Sequence, residues 1–372
     1  MNHHHHPFAR TAFLLVGLLV LNFHGQAQMP ETVEAKDNAS ILNRTKQDST
    51  GTKKKKYSVK VGGVLQAHYL NEFNTNGDTI RDPDGFRILR ARLIAKGRIN
   101  EFTTYELMID ARAPELGGVM RDAFVAFDLG KHQQLRVGQQ KTQFGYENSE
   151  SITNLYTINR SEICDGAMRG ENLRDIGVGL LGEIPLTKKL RIENAVTFTN
   201  GTRSTIEGPW EFNPKKALWG RVGARYKQKE LELRLGGSFA TGGLRYLGND
   251  IVDPADDVYA DFDRVGTDLQ VEHKWFHLTA EFAQGTDMVA DTAYAEPFGY
   301  SIIAAGKTKW NIGPLARYEQ FEDEFQRTTF GVYYGRPKDA LRILLNYELR
   351  GNIKDIPEGH DDRFYVQVQV RF

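Results

Sequence analysis

Residues 87–98 read RILRARLIAKGR, and charged and apolar side chains alternate along this stretch with a period of two. One parity carries the cationic residues Arg90, Arg92, Lys96 and Arg98, and the other carries the apolar residues Leu89, Ala91, Leu93 and Ala95. A helix would scatter these charges around its circumference, whereas a strand sends them to one face and the apolar set to the other. The stretch therefore predicts a strand with one apolar and one cationic face.

The same alternation recurs along the rest of the chain. Sixteen candidate strands lie near 57–70, 86–99, 102–112, 119–129, 133–141, 173–184, 188–199, 216–227, 230–241, 262–273, 275–285, 298–309, 311–321, 327–336, 340–350 and 362–372. Each strand with its connection takes about 20 residues, which suits tilted membrane-crossing strands of about 9–11 residues. Short turns alternate with long connections along the chain. This layout predicts an all-β fold, a transmembrane antiparallel up-and-down β-barrel of about sixteen strands.

Composition argues against a helical membrane protein and gives no support for a nucleic-acid-binding protein. The mean hydropathy is −0.49, and no run after residue 30 approaches the roughly 20 apolar residues that a membrane helix needs. The 48 Lys and Arg residues balance 48 Asp and Glu residues, so net charge gives no argument for a nucleic-acid partner.

The first 56 residues differ from the rest. Arg10 precedes an apolar run at 11–20, and the small residues Gly25 and Ala27 follow, which predicts a signal peptide over 1–27 that is cleaved before Gln28. Residues 28–56 are polar and end in four lysines, so we expect a disordered periplasmic arm. A single cysteine, Cys164, excludes an intrachain disulfide, and we expect it to be structural.

The two strand faces predict where the cations lie. In a closed barrel the apolar parity faces lipid, and an outward Arg90 or Arg92 near the midplane would cost about 2–4 kcal/mol. We therefore expect a channel lining of Arg90, Arg92, Lys96, Arg98, Arg136, Arg221, Arg225 and Arg234. Acidic residues of the same parity, among them Glu106 and Asp110, offset these charges. The sequence therefore predicts a local cationic strip but does not predict net anion selectivity. Aromatic residues near strand ends, such as Trp219 and Trp275, are candidates for interface girdles.

A barrel of sixteen strands is too wide for side chains to fill, which predicts an aqueous channel for passive diffusion of small solutes. The residues that narrow the lumen then determine which solutes can pass. Residues 142–172 form the longest connection, and we expect them to fold inward as a constriction loop with Lys141, Arg160 and Arg169 as its cations.

Several motifs resemble the phosphate-selective porin family. They are FRILRARL at 86–93, DAFVAF at 122–127, LRVGQQK at 135–141, FGYE at 144–147, NRS at 159–161 and RDIGVG at 174–179. The resemblance implies a sixteen-stranded barrel in the outer membrane of a Gram-negative bacterium, usually a homotrimer, that passes small anions such as phosphate. Outer-membrane lipids and lipopolysaccharide are then its surroundings. The last strand ends in Phe372, which resembles the signal that barrel-assembly machinery reads in outer-membrane proteins.

Two alternatives remain at this level. A barrel enzyme such as a lipase needs a Ser/His/acid group, but the sequence shows no nucleophile motif. A secreted β-sandwich that binds glycans would also have alternating strands, with connections of more even length. The stretch GVGLLG at 177–182 fits a dinucleotide fingerprint, but its own alternation is that of a strand. We expect no catalytic activity, no cofactor and no metal.

Overall fold

The computed structural model describes residues 57–73, 84–112, 119–164, 174–201, 215–246, 258–290, 293–322, 325–352 and 362–372. The expected signal peptide at 1–27, the expected arm at 28–56 and Arg169 all lie outside the described residues. Among the described residues, no helix has the length and apolar character that crossing a membrane requires.

The described strands form one sheet in which every pairing is antiparallel. They are β1 (Ser58–Phe73), β2 (Asp84–Arg98), β3 (Thr103–Asp110), β4 (Met120–Asp128), β5 (Gln133–Lys141), β6 (Arg174–Pro185), β7 (Leu190–Thr199), β8 (Ala217–Gln228), β9 (Leu231–Tyr246), β10 (Val258–Glu272), β11 (Phe276–Ala290), β12 (Ala293–Ala295), β13 (Phe298–Gly306), β14 (Ile312–Phe321), β15 (Phe325–Tyr334), β16 (Leu341–Asn352) and β17 (Asp362–Arg371).

Pairing between the first and last strands closes the sheet. β1 pairs with β17 from Val64 opposite Arg371 to Phe73 opposite Asp362. The three-residue β12 pairs with β11, so the barrel wall consists of the sixteen longer strands. Closure gives the main-chain groups of each wall strand a partner on both sides, as a lipid environment demands. The prediction of a sixteen-stranded antiparallel barrel is confirmed.

Each predicted strand corresponds to a strand of the wall, and the main differences lie at the ends that face long connections. β9, β10 and β11 extend into regions expected to be loops, and β12 was not predicted. The extension of β9 includes TGGLRY, which has weak strand propensity, but Tyr246 pairs with Val258 of β10. Pairing with a neighbouring strand outweighs local propensity here.

The two faces of the wall divide as the alternation predicts. Leu235 on the outer face is 58% exposed, whereas Arg342 on the inner face is 1% exposed. In a membrane, lipid chains cover the outer face, so its apolar side chains leave water. The eight cations expected in the lining all lie on the inner face, six of them paired with carboxylates and two bound to glutamine side chains.

Leu89 is an exception that corrects the prediction. The register between β1 and β2 shifts at this point, because Gln66 pairs with Arg90 while Ala67 pairs with Ile88. Leu89 is the extra residue of this β-bulge, and its side chain packs against apolar residues inside the barrel. On the N-terminal side of the bulge the parity reverses, so Ile88 lies on the exposed outer face.

The position of Trp219 also differs from the prediction. It shares the inner face with Arg221, is only 1% exposed, and packs on Phe262 with ring centroids 5.0 Å apart. It therefore belongs to the interior and not to an interface girdle. Trp275 remains a candidate, because it lies exposed in the short turn between β10 and β11.

Candidate functional site

The interior of the barrel holds residues 142–164, which we call the inserted segment. It follows β5 and contains one helical turn, α1 (Tyr146–Ser149), and a short 3-10 helix (Ile152–Asn154). Its contacts reach strands on two other parts of the wall, so the described part of the connection crosses the lumen.

The ends of the inserted segment pack on the wall formed by β8 to β11. Phe144 and Ile163 are fully buried against the inner side chains of this wall, including Trp219 and Phe262. A Cβ atom on Gly266 of β10 would lie 3.2 Å from the Phe144 ring. The glycine therefore makes room for the aromatic ring on the wall.

The middle of the inserted segment packs on a second part of the wall. Tyr156 and Ile158 join a buried apolar cluster with residues of β1, β13, β14, β15, β16 and β17. Tyr156 lies beside Tyr333, with ring centroids 5.0 Å apart. Burial raises the pKa of the Tyr156 phenol above its ordinary value, with a smaller contribution from the carboxylate of Glu272. The phenol therefore stays neutral.

Arginines of the wall hold the main chain of the inserted segment. Arg317 donates to the carbonyl oxygen of Asn159 at 2.8 Å, and Arg327 donates to that of Arg160 at 2.9 Å. Arg342 donates to two carbonyl oxygens of the inserted segment, those of Thr153 and Leu155, at 2.7 and 2.9 Å. Hydrogen bonds from a guanidinium are among the stronger ones in proteins, so these contacts fix the backbone path.

Sequence reasoning did not single out Arg317 and Arg327. Both lie on the inner face, and both are nearly fully buried with Glu319 and Glu348 as ion-pair partners. The available signal was the parity that Arg317 shares with Glu319 in β14. Parity marks the face but not the carbonyl groups that the arginines bind.

The cations predicted on β2 to β5 lie together on one part of the inner wall. Arg92 pairs with Asp110 at 2.8 Å, Lys96 with Glu106 at 3.0 Å, and Arg98 with Asp128 at 3.6 Å. The other two each bind a glutamine side chain. Arg90 donates to Gln66 at 3.0 Å, while Arg136 donates to Gln134 at 2.8 Å and lies over the ring of Phe124.

The cations predicted on β8 and β9 lie on another part of the wall, where carboxylates balance them. Arg221 binds Asp268 through two hydrogen bonds of 2.6 and 2.9 Å. The remaining partners are Glu183 for Arg225, at 2.9 Å, and Glu232 for Arg234, at 2.7 Å. Glu193 lies within 4.0 Å of all three arginines. This wall therefore carries little net charge.

A bulge adds one cation that sequence reasoning missed. The register between β3 and β4 shifts so that Met108 pairs with Asp122 while Ile109 pairs with Met120. The extra residue, Arg121, is half-buried and lies close enough to Asp122 for electrostatic interaction. Its Nε atom has no hydrogen-bond partner among the described residues.

Arg92, Arg121, Lys141 and Arg174 form what we call the cationic patch. Its carboxylates are Asp110, which pairs with Arg92, and Asp122, which accepts two hydrogen bonds from Arg174 at 2.8 and 3.0 Å. Arg160 and the carboxylate of Glu150 also interact with Lys141, so five cations against three carboxylates leave a formal excess of two positive charges.

Two of the three cations predicted for the constriction, Lys141 and Arg160, lie at the base of the inserted segment. Lys141 donates to the carbonyl oxygens of Asn148 and Glu150 at 2.9 and 2.6 Å, and Arg160 donates to that of Glu150 at 2.9 Å. The structure thus brings Lys141 and Arg160 together at Glu150. Arg169 falls outside the described residues.

With this geometry established, comparison with known proteins gives the family. The family model for phosphate-selective porin O and P matches residues 59–292, more than half of the chain. The chain belongs to this family. Family and fold together place this porin in the outer membrane of a Gram-negative bacterium, where it forms a channel. No curated protein has a significant sequence match to the chain.

Solved outer-membrane structures share the fold. The in-vitro folded trimer form of OmpT, an outer membrane protein of Vibrio cholerae, aligns with a TM-score of 0.57 and 11% identity, over 86% of this chain and 100% of that chain. Salmonella typhi OmpF, in complex with daunomycin, gives 0.55 and 16%, over 84% and 97%. The outer membrane channel DcaP of Acinetobacter baumannii gives 0.52 and 13%, over 86% and 99%. At these identities the likeness concerns the fold alone.

Proposed function

We propose that this porin passes small solutes by passive diffusion and prefers anions, phosphate among them. The observation that carries the proposal is the formal excess of two positive charges in the cationic patch. A fixed positive charge on a pore wall raises the local concentration of anions and lowers that of cations.

The inserted segment makes this excess effective. At about 0.15 M salt the Debye length is about 8 Å, so a charge on one side of a wide pore would not act on an ion at the other side. The segment crosses the lumen and is bound to β9, β11 and β14 to β17. We therefore place the solute path beside the cationic patch, where a passing ion stays within the screening length.

The wall at β8 and β9 contributes less to selectivity. Arg221, Arg225 and Arg234 are each paired with a carboxylate, so they present hydrogen-bonding groups rather than net charge. Of the cations predicted from sequence, those near the patch are proposed to select anions, and those of β8 and β9 to hold the wall together.

The test is a reversal-potential measurement in planar bilayers across a KCl gradient. Arg121→Gln removes one charge of the patch and leaves the ion pairs of Arg92 with Asp110 and of Arg174 with Asp122 in place, so it should lower the chloride-to-potassium permeability ratio. Arg191→Gln makes the same charge change on β7, where Arg191 pairs with Glu183 at 2.7 Å, and should change the ratio less. Equal ratios in wild type and Arg121→Gln would refute the role of the patch.

Phosphate preference needs a separate measurement. Added inorganic phosphate should reduce the chloride current of the wild type in a saturable way, because a phosphate held at the patch blocks chloride. Arg121→Gln should require a higher phosphate concentration for half of this effect. A chloride current that phosphate leaves unchanged would restrict the proposal to anions in general.

We also propose that the porin assembles as a homotrimer. Support comes from the family resemblance and from the trimer form of the Vibrio cholerae OmpT structure, which shares the fold. Native mass spectrometry of the detergent-solubilised protein tests this, and a monomeric mass at all detergent concentrations would contradict it.

A further inference from the structure

A small cleft with a volume of about 20 Å³ lies between the inserted segment and β11 and β13. Tyr146, Glu147 and Tyr156 line it from the inserted segment, and Thr279, Glu281 and Ser301 line it from the wall. A volume of this size holds about one water-sized group, which is the size of the head group of a ligand and not of a whole molecule. The cleft lies apart from the cationic patch, which β2 to β6 carry.

Three side-chain oxygens of this lining have no hydrogen-bond partner among the described residues. They are Oε1 of Glu147, Oε1 of Glu281 and Oγ of Ser301. Their residues are 4%, 8% and 4% exposed. Glu281 and Ser301 pair directly across β11 and β13, and the main-chain N–H of Glu147 donates to Oε2 of Glu281 at 3.0 Å. The three oxygens therefore belong to neighbouring groups.

Two glutamates, Glu147 and Glu281, give the cleft an acidic lining, and His277 is the basic residue of the same lining. Asp268 also interacts with Glu281, but it is neutralised by Arg221, which binds it at 2.6 Å. Oε2 of Glu147 accepts hydrogen bonds from the main chain and hydroxyl of Ser161, which are neutral donors. Two buried carboxyl groups side by side disfavour the ionisation of both, and a bound positive group offsets this cost, so the site favours a cation.

The kind of positive group follows from the number of free acceptors. Calcium takes about 6–8 oxygen ligands, and no group of three or more His, Cys, Asp or Glu side chains suited to a metal occurs among the described residues. A primary ammonium has three N–H donors, which equals the number of unpartnered oxygens. Tyrosine rings on the opposite side of the cleft suit an organic cation as well.

We propose that this cleft binds the primary ammonium group of a small organic cation, with Glu147, Glu281 and Ser301 as its acceptors. The porin then has a cation site on the wall opposite its anion-selective patch. Glu281 and Ser301 position the ammonium from the wall, and Glu147 closes on it from the inserted segment. The site needs the inserted segment in place but does not depend on anion preference.

Saturation-transfer NMR with n-butylammonium chloride tests the site on the detergent-solubilised porin. This measurement detects binding without any current, so its outcome is independent of the proposed anion channel. The wild type should give a saturable signal, and Glu281→Gln should raise the half-saturating concentration at least about tenfold, since it removes a charged acceptor. The glutamine retains an oxygen that accepts the N–H of Glu147. Ser301→Ala, which keeps all charges, should raise it about threefold.

Glu183→Gln is the matched control, because it removes one negative charge from the inner wall at a glutamate that pairs with Arg191 and Arg225. It should bind butylammonium as the wild type does. No saturable signal in the wild type, or equal weakening in Glu183→Gln and Glu281→Gln, would overturn the proposal. Displacement by calcium at concentrations below the butylammonium half-saturation would also overturn it, in favour of a metal site.

Discussion

Arg342 donates a hydrogen bond of 2.7 Å from Nη1 to the main-chain carbonyl oxygen of Thr153. The pair joins β16 of the wall to the inserted segment across 189 residues of sequence. Nη2 of the same guanidinium donates to the carbonyl oxygen of Leu155 at 2.9 Å. Because both acceptors belong to the main chain, Arg342 holds the backbone of the inserted segment and not only a side chain.

Replacing Arg342 with methionine should therefore loosen the inserted segment. The change leaves two buried carbonyl groups without their charged donor, and each such hydrogen bond contributes about 1.5–3 kcal/mol. We expect more current noise in single-channel recordings and a lower free energy of unfolding in urea. Arg191→Met serves as the control, since Arg191 binds Glu183 of the wall and its side chain is 41% exposed. Equal noise in the two variants would contradict the assignment.

The ion pair between Arg92 and Asp110 predicts a stability effect that can be separated from selectivity. Arg92→Met leaves the buried carboxylate of Asp110 without its ion-pair partner, and breaking a buried pair in this way costs about 3–5 kcal/mol. Adding Asp110→Asn removes the unpaired charge, so the double variant should recover most of the loss in urea unfolding. It also preserves net charge and should change the chloride-to-potassium ratio less than Arg92→Met. A double variant no more stable than the single one would contradict the pairing.

The strands of the barrel could be predicted from sequence because the information is local. Each residue's face follows from its parity, and the contrast between lipid and water puts apolar and charged side chains on opposite parities. The error at Trp219 was avoidable, since it shares its parity with Arg221, which was assigned to the lumen. The preference of aromatic residues for membrane interfaces favours a girdle position, whereas the alternation favours the lumen, and the structure follows the alternation.

The two bulges could not be predicted in the same way. The bulges at Leu89 and Arg121 depend on the register with β1 and β3, and that register is a property of the strand pair rather than of one strand. The bulge at Leu89 turns an apolar residue inward, and the one at Arg121 adds a cation to the patch.

The interior was predicted less completely than the wall. The sequence indicated that residues 142–172 fold inward, and the arginines of the inner face were visible from parity. The partners of Arg317 and Arg327 are carbonyl groups of Asn159 and Arg160, more than 150 residues away, and no periodicity encodes such a contact. The cleft at Glu281 depends on the same long-range packing.

Phe144 should be a principal apolar anchor of the inserted segment. It is fully buried against Trp219 and Phe262, and replacing a buried phenylalanine with alanine costs about 3–5 kcal/mol. Phe144→Ala should lower the free energy of unfolding and increase the mean single-channel conductance, because the segment loses its packing on β8 to β11. Phe282→Ala is the control on the outer face, where lipid chains fill the space left by the ring. Unchanged conductance in Phe144→Ala would show that other contacts hold the segment.

The outer face predicts a depth-dependent cost for added charge. Val222 lies near the middle of β8 on the exposed outer face, and Val59 lies at the end of β1 beside the short turns. An arginine near the midplane costs about 2–4 kcal/mol, and one near the interface about 0–1 kcal/mol. Val222→Arg should therefore destabilise the porin in liposomes, measured by urea unfolding, by more than Val59→Arg does. Equal effects of the two substitutions would contradict the placement of Val222 at the lipid-facing midplane.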